Sequence, residues 1–378
     1  MYITGIGRTK FGILDESLPQ LLYDAIYRAL RDSTLGVEDL DAIVVANFLA
    51  GNTQSQLHLG SLVSSLLPGI NLPSFRVEAA CASGGVAVFQ ALSLLHAFEN
   101  ILVVGGEKLN VLPNKILYRN IAMAGDLLRD QQEGLIFPAQ YAIVASRYLR
   151  TYGASLDDLS LISLKNYSNA AYNPLAHFNY KDLTMETIDS SAVVCSPLRL
   201  FDCCPISDGA ASIIISRERK TSRDVKIIGT GAMTAAISLS QRKEFTTFRA
   251  ARSAAEVAYI MAGISPEDVD VAEVHDCFTI AELIAMEDLG FCGQGEAVEM
   301  VKKDETSLSG RLPINTDGGL LADGHPIGAT GIAQICEIVR QLRGDAGERQ
   351  VREARIGLTH NVGGVGGTAV VHILERCQ

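Results

Sequence analysis

The sequence contains one pattern twice, and this repetition decides the fold. "AIYRALRDSTLGVEDLDAIVVAN" (25–47) and "AEVAYIMAGISPEDVDVAEVHD" (255–276) both read as a helix, a glycine, an acidic turn ending in Asp, and an apolar strand. A supersecondary unit that recurs at such a distance is typical of a duplicated architecture. The 378-residue chain is therefore predicted to consist of two related halves, 1–220 and 221–378.

Apolar segments alternate with amphipathic ones along both halves. The stretch "LPQLLYDAIYRALRDS" (18–33) predicts an amphipathic helix, and residues 112–200, rich in polar and turn residues, predict a lid inserted in the first half. Buried strands are predicted at 41–47, 101–108, 209–216, 225–232, 269–276, 354–361 and 367–374. This alternation favours an α/β fold with largely buried strands.

The composition limits the classes of function. Hydrophobic residues make up 48% of the chain and charged residues 20%, which is enough for a sizeable core and argues against disorder. The net charge of −11 comes without any basic block, so nucleic-acid binding is not expected. No apolar run reaches the length of a membrane span, and the N-terminus lacks the extended apolar region of a signal peptide. We expect a cytoplasmic protein in a reducing compartment.

The eight cysteines are spread along the chain, at 81, 195, 203, 204, 277, 292, 336 and 377. None forms a CxxC pair, so no metal site is expected, and a chain of this size does not need a disulfide framework. Cys203 and Cys204 are adjacent and are expected in the core near the closing strand of the first half. One or two of the other thiols are candidates for chemistry.

Cys81 is the first candidate. In "EAACASGGVAVFQALSLL" (78–95) it stands at the start of a predicted helix among small residues. Unpaired N–H groups at a helix N-terminus stabilise a thiolate and an adjacent oxyanion. The alternative is a buried cysteine in a tight strand-to-helix turn, and the segment alone leaves both interpretations open.

His325 lies in the narrow backbone corridor of "NTDGGLLADGHPIGATGIAQICE" (315–337), between Gly324 and Pro326. A neutral imidazole held near a thiol can accept its proton. The terminal loop "HNVGGVGGTAVVHIL" (360–374) can offer backbone N–H groups to an acyl oxygen. A tight turn without chemistry is its alternative; a dinucleotide fingerprint is disfavoured because the loop leads into a strand rather than a helix.

The segment "VHDCFT" (274–279) places three reactive side chains side by side. On an extended segment His275 and Cys277 face the same side while Asp276 points away. A metal interpretation lacks further ligands at a usable spacing.

Together these motifs resemble the thiolase family. "CASGG", "HDCFT", "GHPIGATG" and the terminal glycine loop occur in thiolase order, and "NPLAHF" and "PLRLFDCCPISDGAAS" extend the resemblance over most of the chain. The His-Asp-Cys-Phe box is similar to that of the sterol-carrier-protein-type and archaeal-like branch. The resemblance implies an α/β thiolase fold: two duplicated βαβαβαββ halves in a five-layered αβαβα arrangement with an inserted lid.

The resemblance also implies roles for individual residues. Cys81 matches the nucleophile that becomes acylated. His325 matches the histidine that activates this cysteine and donates to the thioester oxygen. His275 stands where other branches have an oxyanion-hole asparagine, and Gly363 stands where a backbone N–H completes a second hole with the Cys81 amide.

One position departs from the pattern of other branches. Where those carry a terminal catalytic cysteine, this sequence has Asn361, preceded by His360. Our hypothesis is that Cys277 supplies the missing acid/base thiol, as the resemblance to the sterol-carrier-type branch implies, and that His360 and Asn361 can reach the pocket. Glu78 and Asp276 are candidates for orienting neighbours. No role is predicted for His58, His96, His177 and His372.

The implied activity is CoA-dependent cleavage of 3-oxoacyl-CoA, or the reverse Claisen condensation of acetyl-CoA, with an acyl-cysteine at Cys81. Coenzyme A and acyl-CoA are expected as substrates, with no tightly bound cofactor, and a homodimer or homotetramer is expected. The alternatives are a thiolase-fold carbon–carbon lyase (a retro-aldolase) or a lipid-transfer-type acyl-CoA-binding protein, working with an OB-fold partner. A decarboxylative ketosynthase is a further alternative.

Overall fold

The computed structural model describes residues 1–377. Its strands are Tyr2–Arg8 (β1), Ala42–Ala46 (β2), Ser74–Val77 (β3), Asn100–Glu107 (β4), Val193–Cys195 (β5), Leu198–Arg199 (β6), Gly209–Ser216 (β7), Val225–Thr234 (β8), Val271–Glu273 (β9), Ile356–Gly363 (β10) and Thr368–Arg376 (β11). Its α-helices are Leu18–Asp32 (α1), Ala50–Thr53 (α2), Leu59–Ser65 (α3), Ser83–Leu94 (α4), Asn114–Ile121 (α5), Phe137–Tyr152 (α6), Leu156–Ala170 (α7), Met185–Asp189 (α8), Arg249–Ala262 (α9), Thr279–Asp288 (α10), Ala297–Lys302 (α11), Gly319–Ala322 (α12) and Ile327–Arg343 (α13).

The sheet topology repeats. Nine strands form one continuous sheet in the order β3-β2-β4-β7-β1-β8-β11-β10-β9. In the first half β2 is parallel to β4, and β4, β7 and β1 follow as antiparallel neighbours. In the second half β9 is parallel to β10, and β10, β11 and β8 follow as antiparallel neighbours. The same order and directions in both halves confirm the duplicated fold, and a short β1–β8 pairing joins the halves.

Helices cover both sides of each half-sheet. The helix α1 packs on β1, β4 and β7, and α9 packs on β8 and β11. Between the two half-sheets lie α4 and α13, each of which contacts strands of both halves. This gives the five-layered αβαβα arrangement, and it makes α13 a helix that is buried almost all the way round.

The predicted strands agree with the structure except at one informative place. The strand predicted at 269–276 ends at Glu273. The side-chain amide oxygen of Asn315 accepts the N–H of Val274 at 2.8 Å, which takes that group out of the sheet. The residues that follow, including His275 and Cys277, therefore lie in a loop at the strand end rather than in the sheet.

The segment between β4 and β7 contains α5 to α8 and the small β5–β6 hairpin. Its helix α7 packs against α10, α11 and α12 of the second half, and Tyr141 and Tyr148 of α6 belong to the second half's hydrophobic core. The predicted lid at 112–200 and the division at 220 stay predictions. Within residues 1–377 no helix is both long and apolar enough to cross a membrane.

The two central helices approach each other through glycines. A Cβ atom added to Gly84 of α4 would lie 2.8 Å from the backbone nitrogen of Gly331 in α13. A Cβ atom added to Gly331 would clash with the backbone nitrogen of Gly85. Only glycine permits this contact, because both neighbours are backbone atoms that cannot move aside.

We predict that Gly331→Ala destabilises the protein even though alanine favours a helix. Overpacking against backbone costs about 1–3 kcal/mol, more than the roughly 1 kcal/mol that helix propensity returns. Urea unfolding measures the change. Gly12→Ala is the control, since its added methyl would meet only Leu14, at 3.7 Å. Equal unfolding free energies for Gly331→Ala and the parent would contradict the proposed crossing.

Candidate active site

Cys81 lies in the tight turn between β3 and α4. The preceding Ala80 has a φ of +50°, a left-handed conformation that costs a non-glycine residue about 1–3 kcal/mol. Two side chains hold this turn: the Glu78 carboxylate accepts the Ala80 N–H at 2.6 Å, and the Ser83 hydroxyl donates to the Ala80 carbonyl at 2.6 Å. The strained turn therefore places the Cys81 thiol at the N-terminal end of α4.

His325 lies at the equivalent place in the second half, just before α13. Its Nδ1 is 2.7 Å from the hydroxyl oxygen of Thr330, which itself donates to the Pro326 carbonyl at 3.1 Å. Because the hydroxyl proton is used in this way, the oxygen accepts a hydrogen bond from Nδ1–H. The Nε2 atom is then an unprotonated acceptor, and within residues 1–377 it has no hydrogen-bond partner.

In His275 the proton lies on the other ring nitrogen, Nε2. The Asn361 amide oxygen accepts the Gly85 N–H at 3.0 Å, which fixes the orientation of the amide. The Asn361 amide nitrogen therefore donates, to the Cys81 carbonyl at 3.0 Å and to Nδ1 of His275 at 3.2 Å. Nδ1 is the acceptor, so the proton of a neutral His275 is on Nε2.

These three side chains meet at one point. One ligand atom from each of Cys81, His275 and His325 lies within 4.8 Å of the others, and the two rings pack edge to face at 5.2 Å. Sulfur and nitrogen atoms at such distances could hold a metal ion. A metal ligand, however, needs a free lone pair, and the bond from Asn361 keeps the proton on Nε2 of His275. The hydrogen bonds therefore favour a proton donor at this position over a ligand.

The site keeps its groups uncharged. Burial raises the pKa of the Cys81 thiol to about 12, opposed by the Gly364 and Cys81 N–H groups and reinforced by the Glu107 carboxylate. Burial lowers the pKa of His325 to about 3 and that of His275 well below its usual value, with nearby His325 and His360 adding to the shift at His275. At neutral pH a neutral thiol therefore faces two neutral imidazoles.

The terminal glycine loop reaches the site through Gly364. This residue lines the same cavity as Cys81, and its N–H group lowers the pKa of the Cys81 thiol. Gly363 is still part of β10 and pairs with Thr368. The oxyanion-hole role of Gly363 stays a prediction, and Gly364 is a second candidate for that N–H group.

Cys277 is buried and lines the same cavity as Cys81 and His325. Burial raises the pKa of its thiol, and the neighbouring Tyr141 hydroxyl opposes that shift. This hydroxyl donates its proton to the Gly364 carbonyl oxygen at 3.0 Å. No motif surrounds Tyr141, so no sequence pattern indicated that it would reach the site.

The core position expected for Cys203 and Cys204 is wrong. Both are only partly buried and line the cavity beside Cys277. The N–H of Cys204 donates to the Cys277 carbonyl at 3.0 Å, and this bond holds the segment against the pocket rather than inside the core.

Two known family patterns cover almost the whole chain. Residues 1–219 match the thiolase N-terminal domain, and residues 231–376 match the domain described as thiolase C-terminal domain-like. The chain belongs to the thiolase family.

Relatives and solved structures agree with this assignment. The thiolase chain is 42% identical to acetyl-CoA acetyltransferases of Methanothermobacter thermautotrophicus and Methanocaldococcus jannaschii, over 99% of its own length and 99% and 98% of theirs. A solved structure of the Ltp2-ChsH2(DUF35) aldolase superposes with a TM-score of 0.83 at 26% identity, over 99% of this chain and 97% of that one.

Two buried carboxylates hold the thiolase site in place. Asp276, a candidate for orienting its neighbours, accepts the N–H groups of Leu320 and Leu321 and so fixes the loop that leads to His325. The Glu107 carboxylate accepts the Gly328 N–H at 3.0 Å just after that histidine. Burial raises the pKa of Glu107 to about 7, opposed by three backbone N–H groups.

Three further histidines lie near the site or in the core. His177 contacts the Ser207 hydroxyl at 2.8 Å, and Ser207 accepts the His325 N–H, so His177 supports the site at one remove. His372 bonds Thr230 and the Gly85 carbonyl inside the core. His360 is buried with both ring nitrogens unpartnered in the described chain, and it is not among the residues that line the cavity.

We predict that alkylation of Cys81 by iodoacetamide is slow at neutral pH. Because burial raises its pKa to about 12, its rate in the folded protein is expected to keep rising above about pH 10. In urea the rate is expected to level off near the ordinary thiol pKa of ~8.5. Mass spectrometry of the Cys81 peptide measures both rates. A plateau below about pH 9 in the folded protein would contradict the assignment of a neutral thiol.

Proposed function

We propose that the chain catalyses CoA-dependent cleavage of 3-oxoacyl-CoA and the reverse Claisen condensation through an acyl-cysteine at Cys81. One observation carries this proposal. A thiol, a proton-accepting imidazole and a proton-donating imidazole lie within 4.8 Å of one another, and a second thiol lines the same cavity. The reaction needs a nucleophile, a base that takes its proton, a donor to the developing enolate oxygen and a group that protonates the leaving carbon, and these four side chains can supply them.

In the first step the Cys81 sulfur attacks the C3 ketone of the substrate while Nε2 of His325 takes the thiol proton. Concerted transfer suits two groups that burial keeps neutral. The negative charge develops on the C3 oxygen, where the N–H groups of Cys81 and Gly364 stabilise it. Collapse of this adduct breaks the C2–C3 bond and leaves an acyl-thioester on Cys81.

The leaving group is the enolate of acetyl-CoA. Nε2–H of His275 donates to the enolate oxygen, and Cys277 delivers a proton to the carbon, giving acetyl-CoA. The Cys277 thiolate then takes the thiol proton of a second coenzyme A, whose sulfur attacks the acyl-Cys81 thioester. The Cys81 sulfur leaves with the proton that His325 holds, and the shortened acyl-CoA is released. In the reverse direction Cys277 removes the α-proton of acetyl-CoA. These steps use coenzyme A as a substrate and draw on side chains and backbone amides alone.

A carbon–carbon lyase is the second candidate, because the aldolase that superposes on this chain carries that activity in its name. A retro-aldol cleavage proceeds without an acyl-cysteine, so it has no use for a nucleophilic thiol beside a bare imidazole nitrogen. The pairing of Cys81 with His325 therefore favours acyl transfer. We further propose a homo-oligomer; a partner with an OB fold is proposed only for the lyase alternative.

Acetyl-CoA distinguishes these activities. After incubation, mass spectrometry is expected to find an acetyl group on Cys81 of the parent and of Cys277→Ala, and none at this position in Cys81→Ser. Thiolysis of acetoacetyl-CoA is expected to fall by roughly 10²–10⁴ in Cys277→Ala, the usual contribution of a general acid. An unmodified Cys81, together with aldol cleavage of a 3-hydroxyacyl-CoA, would instead support the lyase.

We predict that Asn361→Asp acts through His275. A carboxylate at this position accepts a hydrogen bond from Nδ1–H. The proton of a neutral His275 then lies on Nδ1 instead of Nε2, which removes one oxyanion donor. The loss of one such donor lowers kcat by about 10²–10³. Steady-state thiolysis by Asn361→Asp, His275→Ala and the double variant measures the coupling.

If Asn361 only sets the tautomer, the double variant is as slow as His275→Ala alone. Losses that multiply in the double variant would contradict this role. The urea unfolding midpoint of each variant serves as the folding control.

A further inference from the structure

The cavity above the catalytic thiols is much larger than an acetyl group. Its volume is about 460 Å³, and Cys81, Cys277 and His325 form its floor. Cavities of about 300–1,000 Å³ hold whole small molecules, whereas an acetyl group has only three non-hydrogen atoms. The cavity therefore has room for more than the reacting acetyl group.

The lining of the cavity suits an apolar chain rather than the nucleotide of coenzyme A. Among its lining residues, all within the described part of the chain, there is no Asp, Glu, Lys or Arg. The phosphates of coenzyme A require local positive charge or helix N-termini, above all on a protein whose net charge is −11. The cavity therefore does not hold the nucleotide, and its volume is available to the acyl chain and to the uncharged arm of coenzyme A that carries the sulfur.

Flat aromatic faces dominate this lining. Eight of the chain's 12 Phe and 11 Tyr residues border the cavity. Phe178 and Tyr180 stack at 5.3 Å, and Tyr167 stacks on both at 6.0 Å. Phe201 meets Tyr167 edge to face at 5.3 Å. Side chains that already support one another in this way form a wall on which a further ring can stack.

The wall continues to the surface. Tyr180 is 48% exposed and Leu200 54% exposed, so the cavity opens to solvent along apolar side chains. Because the opening of the cavity is apolar, the acyl chain of a substrate can extend well beyond the reacting ketone. A closed acetyl pocket would end near Cys81.

Building on the function proposed above, we propose that the site takes 3-oxoacyl-CoA thioesters whose acyl chain ends in an aromatic or similarly flat apolar ring. The ring lies against Tyr167, Phe178 and Tyr180, and the C3 ketone reaches Cys81. Rings of the substrate gain stacking as well as burial there, and short aliphatic chains gain neither.

Thiolysis of two substrates tests the inference: acetoacetyl-CoA and 3-oxo-5-phenylpentanoyl-CoA. We expect kcat/KM to be at least about tenfold higher for the phenyl compound, and we expect Tyr180→Ala to lower the ratio of the two values at least about fivefold. Tyr172→Ala is the matched control: this tyrosine lies in the same segment, is 50% exposed and does not line the cavity, so both values are expected to stay unchanged.

The two proposals fail differently. Turnover of acetoacetyl-CoA with a lower kcat/KM for the phenyl compound would overturn the inference and leave the proposed function in place. An unchanged ratio in Tyr180→Ala would overturn the role of the aromatic wall. Absence of turnover with both substrates, together with an unacylated Cys81, would overturn the inference and the proposed function together.

Discussion

The contact between α4 and α13 is the constraint on which the rest of the site depends. The two helices touch backbone to backbone at Gly84, Gly85 and Gly331, in the middle layer of a duplicated fold. Each helix follows the turn or loop that carries one reactive residue, Cys81 before α4 and His325 before α13. A larger separation of the helices would pull the thiol and the imidazole apart.

Asn361 links the contact between α4 and α13 to the side chains of the candidate active site. It binds the Gly85 N–H, the Cys81 carbonyl and His275 with a single amide. Thr330, one residue before the glycine of α13, binds His325. The residues that pack the central layer thus place the proton of His275 on Nε2 and the proton of His325 on Nδ1. The result is one acceptor and one donor at a few ångströms, both uncharged at neutral pH.

The motif residues of the site and most strands could be predicted from the sequence. Motif residues such as Cys81, His275 and His325 are set by short stretches of chain, and the predicted strands follow from continuous apolar runs. What could not be predicted depends on long-range contacts. Tyr141 reaches Cys277 from a different half, Cys203 and Cys204 are held at the cavity by a backbone bond, and the strand before His275 is cut short by Asn315.

The central claim is a division of labour in which Cys81 carries the acyl group and Cys277 moves the proton. Deuterium incorporation into the methyl group of acetyl-CoA in D₂O, followed by NMR, tests it most directly. The parent is expected to exchange these protons, and Cys277→Ala is expected to exchange them at least about 10²-fold more slowly while Cys81 still becomes acetylated. Undiminished exchange in Cys277→Ala would contradict the account and move the proton transfer to another group.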